Sequence, residues 1–225
     1  EVIQTESALN KWCEEILEKK FFAIDTETTS LDTLNAEIVG ISMCTDLGKA
    51  CYIPIAHQTN QPEYKDIEEK QLDKDIVLKR LQPLLADESI LKIGHNIKYD
   101  IKVLDKYKCQ VNSFDDTMLM SHCINGGQQR HSLDSVAKYL LNFETIKLRD
   151  LIGSGKKELN FMNVPISLAA DYAAEDADVT FRLYKKFYKS LKDEKMINIY
   201  EVFEKPMIKI LAFMEIEGIK IDNKF

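Results

Sequence analysis

Apolar residues recur along the 225-residue chain with two different periods, and the change from one to the other organises the reading. Leu9, Trp12, Ile16 and Leu17 fall at helical spacing and predict a short amphipathic helix from Ser7 to Lys19. Strand-like runs follow: FFAIDTE from Phe21 to Glu27, then EIVGISMCT and KACYIPIA, the last two joined by Asp46-Leu47-Gly48 as a hairpin turn. His57 to Lys74 is polar and reads as a surface loop. From Asp75 the period is helical through Ile76, Leu78, Leu81, Leu84 and Leu85, and a short strand, ILKIG, precedes His95 and Asn96. Further helices are predicted over Ile97 to Lys108, Asp115 to Asn125, Ser132 to Leu141, Ile166 to Leu191 and about Ile197 to Ile216, with a strand-like IKID after Gly218. Glycine-containing stretches at 126–130 and 153–157 interrupt them. A hairpin-rich sheet followed mainly by helices predicts an α/β layered domain.

Several acids break this pattern. Asp25 and Glu27 end the FFAIDTE run and are separated by one residue, so in a strand both project from the same face. Such a pair is either solvated at a strand end or balanced by a cation between the two charges. Asn96 suits the N-cap of the next helix, whose Ile97, Ile101, Leu104 and Tyr107 share an apolar side; Asp100 falls on that side. In DYAAEDADVTFRLY, Asp171, Glu175, Asp178 and Arg182 form the stripe expected to face solvent, while Leu168, Tyr172, Val179 and Leu183 form the apolar one. Asp176 sits on the apolar stripe, one turn after Tyr172. Each anomaly has a structural reading: Asp100 paired with a lysine, Asp176 capping a buried backbone group. Together, four inward acids without a histidine or cysteine cluster suit a hard cation such as Mg2+ or Mn2+. Two such ions close together are a standard device for phosphodiester hydrolysis.

Composition narrows the classes. The length fits one large domain or a domain with a short extension, and 45% hydrophobic with 30% charged residues is ordinary for a globular protein. No apolar run approaches a membrane span, no N-terminal targeting pattern is present, and a chain starting at Glu1 is expected to be a piece of a longer protein. The five cysteines and four histidines lack zinc-site spacing, which favours free thiols in a reducing, cytoplasmic setting. The net charge of −7 argues against charge-driven coating of duplex nucleic acid but leaves room for a small metal-assisted groove.

The motifs DTET (Asp25 to Thr28), NIKYD (Asn96 to Asp100) and YAAEDADVT (Tyr172 to Thr180) resemble the three exonuclease motifs of the DEDDy nucleases. More narrowly, the chain resembles the 3′–5′ proofreading exonuclease domain of bacterial-type DNA polymerase I. The likeness runs nearly end to end, through YIPIAH, FDDTML, RHSLDSVA and the closing VFEKPMIKILAFMEIEGIKID. It implies a ribonuclease H-like fold, a mixed β-sheet flanked by α-helices. It also implies metal-binding roles for Asp25, Glu27, Asp100 and Asp176, with Tyr172 orienting the attacking water. One ion is expected on Asp25, Glu27 and Asp176 and a second on Asp25 and Asp100. Leu31, Asn96 and Arg130 are implied to contact the last nucleotides, against the plainer readings of a turn residue for Leu31 and a solvated charge for Arg130.

The implied substrate is a single-stranded or frayed DNA 3′ end, and the implied partner a polymerase domain of the same chain, in a bacterial, nucleoid-associated protein. Residues 1–203 would be the nuclease domain and 204–225 the start of a helical connection to a polymerase domain whose own motifs are missing from this sequence. The fragment is expected to be monomeric, with no membrane partner. Two rivals remain: an RNA-trimming nuclease of the ribonuclease D kind, and a catalytically inactive structural domain.

Overall fold

Phe22, Ala23 and Ile24 are buried on both faces of a strand, β1 (Phe21–Thr28), and this apolar run sets the middle of the sheet. The computed structural model describes residues 1–58, 70–127, 129–155 and 158–222. β1 pairs antiparallel with β2 (Ile38–Asp46) and parallel with β4 (Leu91–Gly94). β3 (Lys49–Pro54) joins β2 antiparallel and β5 (Phe114–Asp116) joins β4 parallel, giving the order β3-β2-β1-β4-β5. The sheet is mixed, as the resemblance implies. The expected hairpin turns at Leu47-Gly48, where Gly48 takes a φ of 72° that a glycine adopts without steric penalty.

Alternation along β1 separates two packing surfaces. Phe22 and Ile24 point into a core formed with α1 (Glu6–Lys19), α2 (Lys74–Ala86) and α3 (Ile97–Asp105). Ala23 points the other way, against Ala177 and Phe181 of the long helix α7 (Ile166–Asp193), and Phe21 stacks on Phe181 with centroids 5.7 Å apart. The α7 face toward the sheet carries Ala169, Ala170, Ala173 and Ala177, all buried. Small side chains let the helix axis approach the strands closely, and this brings Tyr172 and Asp176 to the end of β1.

A glycine makes a second close approach. A Cβ on Gly40 would overlap the ring of Tyr52. The Tyr52 hydroxyl lies 2.7 Å from His57 Nε2, and His57 Nδ1 lies 2.9 Å from the Val164 carbonyl. A carbonyl only accepts, so Nδ1 carries the proton and Nε2 accepts from Tyr52. This relay fixes the loop just before α7.

The structure departs from the sequence expectations in identifiable places. Asn96 does not cap α3 with its side chain: it adopts a left-handed φ of 64°, and the Asp116 carboxylate caps the helix instead. That carboxylate accepts from the Asn96 and Ile97 N–H groups at 3.1 and 2.9 Å. It also accepts from the Met118 and Leu119 N–H groups at 2.8 and 3.2 Å, so one side chain caps both α3 and α4 (Thr117–Asn125). The helix predicted from Asp115 therefore starts later, because Phe114–Asp116 pairs with Lys92–Gly94 as β5. Buried Asp115 is held by Lys205 at 2.8 Å and by the Tyr200 hydroxyl at 3.0 Å.

The helix predicted over 132–141 is α5 (Leu133–Val136) continued by a π-helical turn, Ala137–Leu141. Two short elements that the periodicity did not predict, α6 (Leu148–Ile152) and a 3-10 turn (Phe161–Asn163), precede α7. The last predicted helix divides into α8 (Ile197–Ile199), a π turn (Tyr200–Glu204) and α9 (Lys205–Glu217). The IKID run forms no strand; it pairs with no strand among the described residues, and Ile219 and Ile221 are exposed. On α7, Leu168 is exposed rather than apolar-packed. Asp178 is largely covered, accepting from Gly48 N–H at 2.7 Å and pairing with Arg182, because the hairpin turn packs against that side of the helix. Of the polar segment 57–74, residues 59–69 lie outside the described residues, as do Gln128 and Lys156-Lys157 of the two glycine-containing stretches.

Replacing Asp116 with alanine removes the acceptor of four backbone donors. It should destabilise the domain by about 2–4 kcal/mol, which urea unfolding would measure. An unchanged midpoint would show that these donors are satisfied without it.

Candidate active site

The end of β1 opens into a cleft of about 410 Å3 whose walls come from β1, α3, α6, the 3-10 turn and α7. Asp25 and Glu27 share the face that looks toward α7, and Asp176 comes down from that helix to meet them. One carboxylate oxygen from each of the three lies within 4.8 Å of the others. A register shift between Glu27 and Thr28 ends the regular β1–β2 ladder at this point. Such bulges bend a strand and re-aim its side chains.

Asp100 does not join the close cluster. Thr26, between the two β1 acids, points to the opposite face toward α3. Asp100 Oδ1 accepts from the Thr26 N–H at 3.0 Å and from its hydroxyl at 2.6 Å. Asp100 still borders the cleft, 3% exposed, near enough for Asp25 to raise its pKa. Tyr172 also lines the cleft, its hydroxyl near enough to the Asp176 carboxylate for each to shift the other's titration. The Tyr172 ring packs at 6.1 Å on Phe161, which in turn packs on His57.

The electrostatics are those of acids with too little to balance them. Burial pushes Asp25 up to about 7, against a smaller opposing effect of the neighbouring Thr26 backbone amide. Burial, then Asp25, Asp176 and Asp100, push Glu27 well above the usual carboxylate range. Burial and Asp25 raise Asp100 and Asp176 in the same way, and Tyr172 partly offsets the rise at Asp176. The Tyr172 phenol is itself raised, by burial and then by Asp176, so it stays a donor. Clustered buried oxygens that repel one another fit a hard divalent cation, which replaces protons as the balancing charge.

Of the residues implied to touch nucleotides, Leu31 stands 90% exposed at the cleft and Asn96 lines it, whereas Arg130 is exposed and is not among the lining residues. Sequence reasoning passed over several wall residues. Tyr99 donates to the Ser30 carbonyl at 2.6 Å and contacts the Thr28 hydroxyl, tying α3 to the β1 loop; its place beside Asp100 in NIKYD was the available signal. Leu148, Ile152 and Leu159 form an apolar wall that no periodicity announced. His95 spans from Thr117 Oγ1 at 2.8 Å to the His131 carbonyl at 2.9 Å, and burial lowers it to about 4.

A mixed sheet crossed by a long helix, with carboxylates gathered at the end of its central strand, is the ribonuclease H-like nuclease architecture. The 3′–5′ exonuclease family model matches residues 1–192, and the chain belongs to that family. The chain is 37% identical over 226 residues to DNA polymerase I of Pseudomonas aeruginosa, spanning 99% of this chain and 24% of the relative. It is 36% identical over 228 residues to DNA polymerase I of Rhizobium leguminosarum, spanning 96% and 22%. The chain thus covers about a quarter of the length of these relatives. Among solved structures, the POL domain of Pol1 from M. smegmatis, in complex with DNA primer-template and dNTP, has a TM-score of 0.74 at 19% identity, over 99% of this chain and 33% of that one. Escherichia coli RNase D has a TM-score of 0.70 at 17% identity, over 97% and 51%. These structural likenesses carry the fold.

The raised carboxyls set the pH dependence. Asp25 is shifted from 3.8 to about 7, so between those values the folded state holds a proton that the unfolded state has released. Its contribution is full below the lower value and is lost as pH rises through the upper one. The metal-free domain should therefore lose this contribution progressively, melting lower, from about pH 4 to about pH 7. Mn2+ should restore it, by about 2.7 kcal/mol at a hundred times its dissociation constant. Asp25→Asn should flatten the slope and gain much less from metal; identical metal-induced shifts in both proteins would remove Asp25 from the site.

Proposed function

We propose that this chain is a metal-dependent 3′–5′ exodeoxyribonuclease that trims DNA 3′ ends in proofreading, releasing nucleoside 5′-monophosphates. The observation that supports it most is the meeting of Asp25, Glu27 and Asp176 within 4.8 Å in a cleft that also holds Tyr172. Asp25, Glu27 and Asp176 would hold one divalent ion and Asp25 with Asp100 a second. Mg2+ or Mn2+ bound there supplies Lewis-acid polarisation of the phosphodiester and acidifies water. The chain's own groups do the rest. Tyr172, kept protonated by burial and its acidic neighbours, orients the attacking water toward the terminal phosphorus. Leu31, projecting from the β1 loop, offers an apolar surface to a base, and Asn96 supplies amide donors beside it.

The cleft volume of about 410 Å3 is far too small for a duplex and suits an unpaired strand end, and the net charge of −7 disfavours extended duplex binding. Residues 1–203 would form the nuclease proper, and 204–225 would lead toward a polymerase domain of the same chain, as in the longer relatives. No helix among the described residues is long and apolar enough to cross a membrane, and a bacterial cytoplasmic, nucleoid-associated setting accords with the relatives' names. The RNase D likeness supports RNA as the alternative substrate class.

Digestion of a 5′-labelled single-stranded oligonucleotide should give a ladder shortening from the 3′ end with Mg2+ and none in EDTA. Matched DNA and RNA strands decide the substrate class. Asp25→Ala should lower the rate at least about a hundredfold while the domain stays folded, and Tyr172→Phe should cost less. Near wild-type digestion by Asp25→Ala would sink the assignment. Frayed 3′ ends should be cut faster than blunt matched duplex; equal rates would contradict a single-strand cleft.

A further inference from the structure

Asn96 belongs to the walls of two cavities. One is the acid-lined cleft; the other, about 150 Å3, opens between α3, α4 and α9 and is bordered by Asn96, Lys98, Met118, Leu119, Met207 and Leu211. Two methionines and two leucines make its lining mainly apolar, and Met207 and Leu211 remain 42% and 38% exposed, so it is open to entry. An apolar cavity of about this volume is large enough for one six-membered aromatic ring. At its polar side, Lys98 Nζ and Lys102 Nζ lie 2.5 and 2.7 Å from the two oxygens of Glu215. One carboxylate thus bridges ammonium groups on successive turns of α3, as the oxygens of a phosphate would.

We propose that this pocket is a subsite for a nucleobase of the strand, upstream of the 3′-terminal nucleotides held by the cleft. The proposal rests on the reading of the cleft as a nuclease site. The base lies against the methionine and leucine side chains, and Lys98, exchanging Glu215 for the strand, takes its phosphate. Continuity through Asn96 makes the path from one cavity to the other a single wall of α3. Pocket size favours a pyrimidine over a purine. Glu204, which also borders the pocket, is an acceptor suited to the exocyclic amine of cytosine and keeps the phosphate toward Lys98.

The test is binding of 5′-fluorescein oligodeoxycytidylates, two to eight nucleotides long, followed by anisotropy in EDTA so that no strand is cut. Affinity should rise in one step of about tenfold at a single length, the size expected for removing roughly 60 Å2 of apolar base surface from water. Oligodeoxyadenylates should show a smaller step. Met207→Trp, which fills the pocket, should abolish the step. Lys98→Ala, a surface change that serves if the tryptophan variant does not fold, should shrink it and reduce the salt dependence by about one phosphate contact. An even rise of affinity with length, or a step that survives in the folded variants, overturns the subsite. A pocket that instead receives an apolar side chain of a protein partner would give that even profile. Because binding is read without metal, a chain that shows the step but cuts no 3′ end refutes the nuclease reading alone. One that cuts 3′ ends with an even length profile refutes the subsite alone.

Discussion

Mutual repulsion among buried carboxylates is the constraint on which this structure turns. Asp25, Glu27 and Asp176 crowd within 4.8 Å, with Asp100 close behind. A chain left free would separate them. They are held by features outside the cluster: the apolar first half of β1, the alanine face of α7 and the Asp116 cap on α3. The domain accepts electrostatic strain at one end of its sheet, and a cation or protons relieve it. Packing therefore supplies the force, and the acids supply the demand for a balancing charge.

The two faces of β1 explain how the acids are sorted. Residues two apart share a face, so Asp25 and Glu27 meet α7 while Thr26 meets α3. Thr26 then fixes Asp100 through two hydrogen bonds, leaving that carboxylate apart from the tight group. The geometry gives the four acids unequal parts: three form a compact set, and the fourth is oriented by the strand between them.

The β1 acids were legible in the sequence because strand alternation alone places them together. Asp176 was legible because helical counting put it on a packed stripe. What escaped was long-range. Asn96 has the chemistry of an N-cap, but a better acceptor, Asp116, arrives from a strand nearly twenty residues later, and no local pattern announces a carboxylate that serves two helices. β5 escaped for a related reason: three residues beside a helix start have no period to read, and their strand character comes from β4 next to them. Asp178 looked solvated because helical counting sees one helix at a time, whereas Gly48 reaches it from a hairpin far away in sequence. The IKID run failed in the opposite direction, since β propensity forms no strand without a neighbour.

The double cap at Asp116 has a consequence for how the domain comes apart. Local opening in proteins proceeds in cooperative units, and a unit's borders follow its shared interactions. Because the first turns of α3 and α4 draw on the same carboxylate, fraying one start weakens the other. The two helices then belong to a single foldon although β5 and an irregular connection separate them in sequence. Breathing at the mouth of the cleft is on this account a collective event: Asn96 and the first turn of α4 open together, or neither opens.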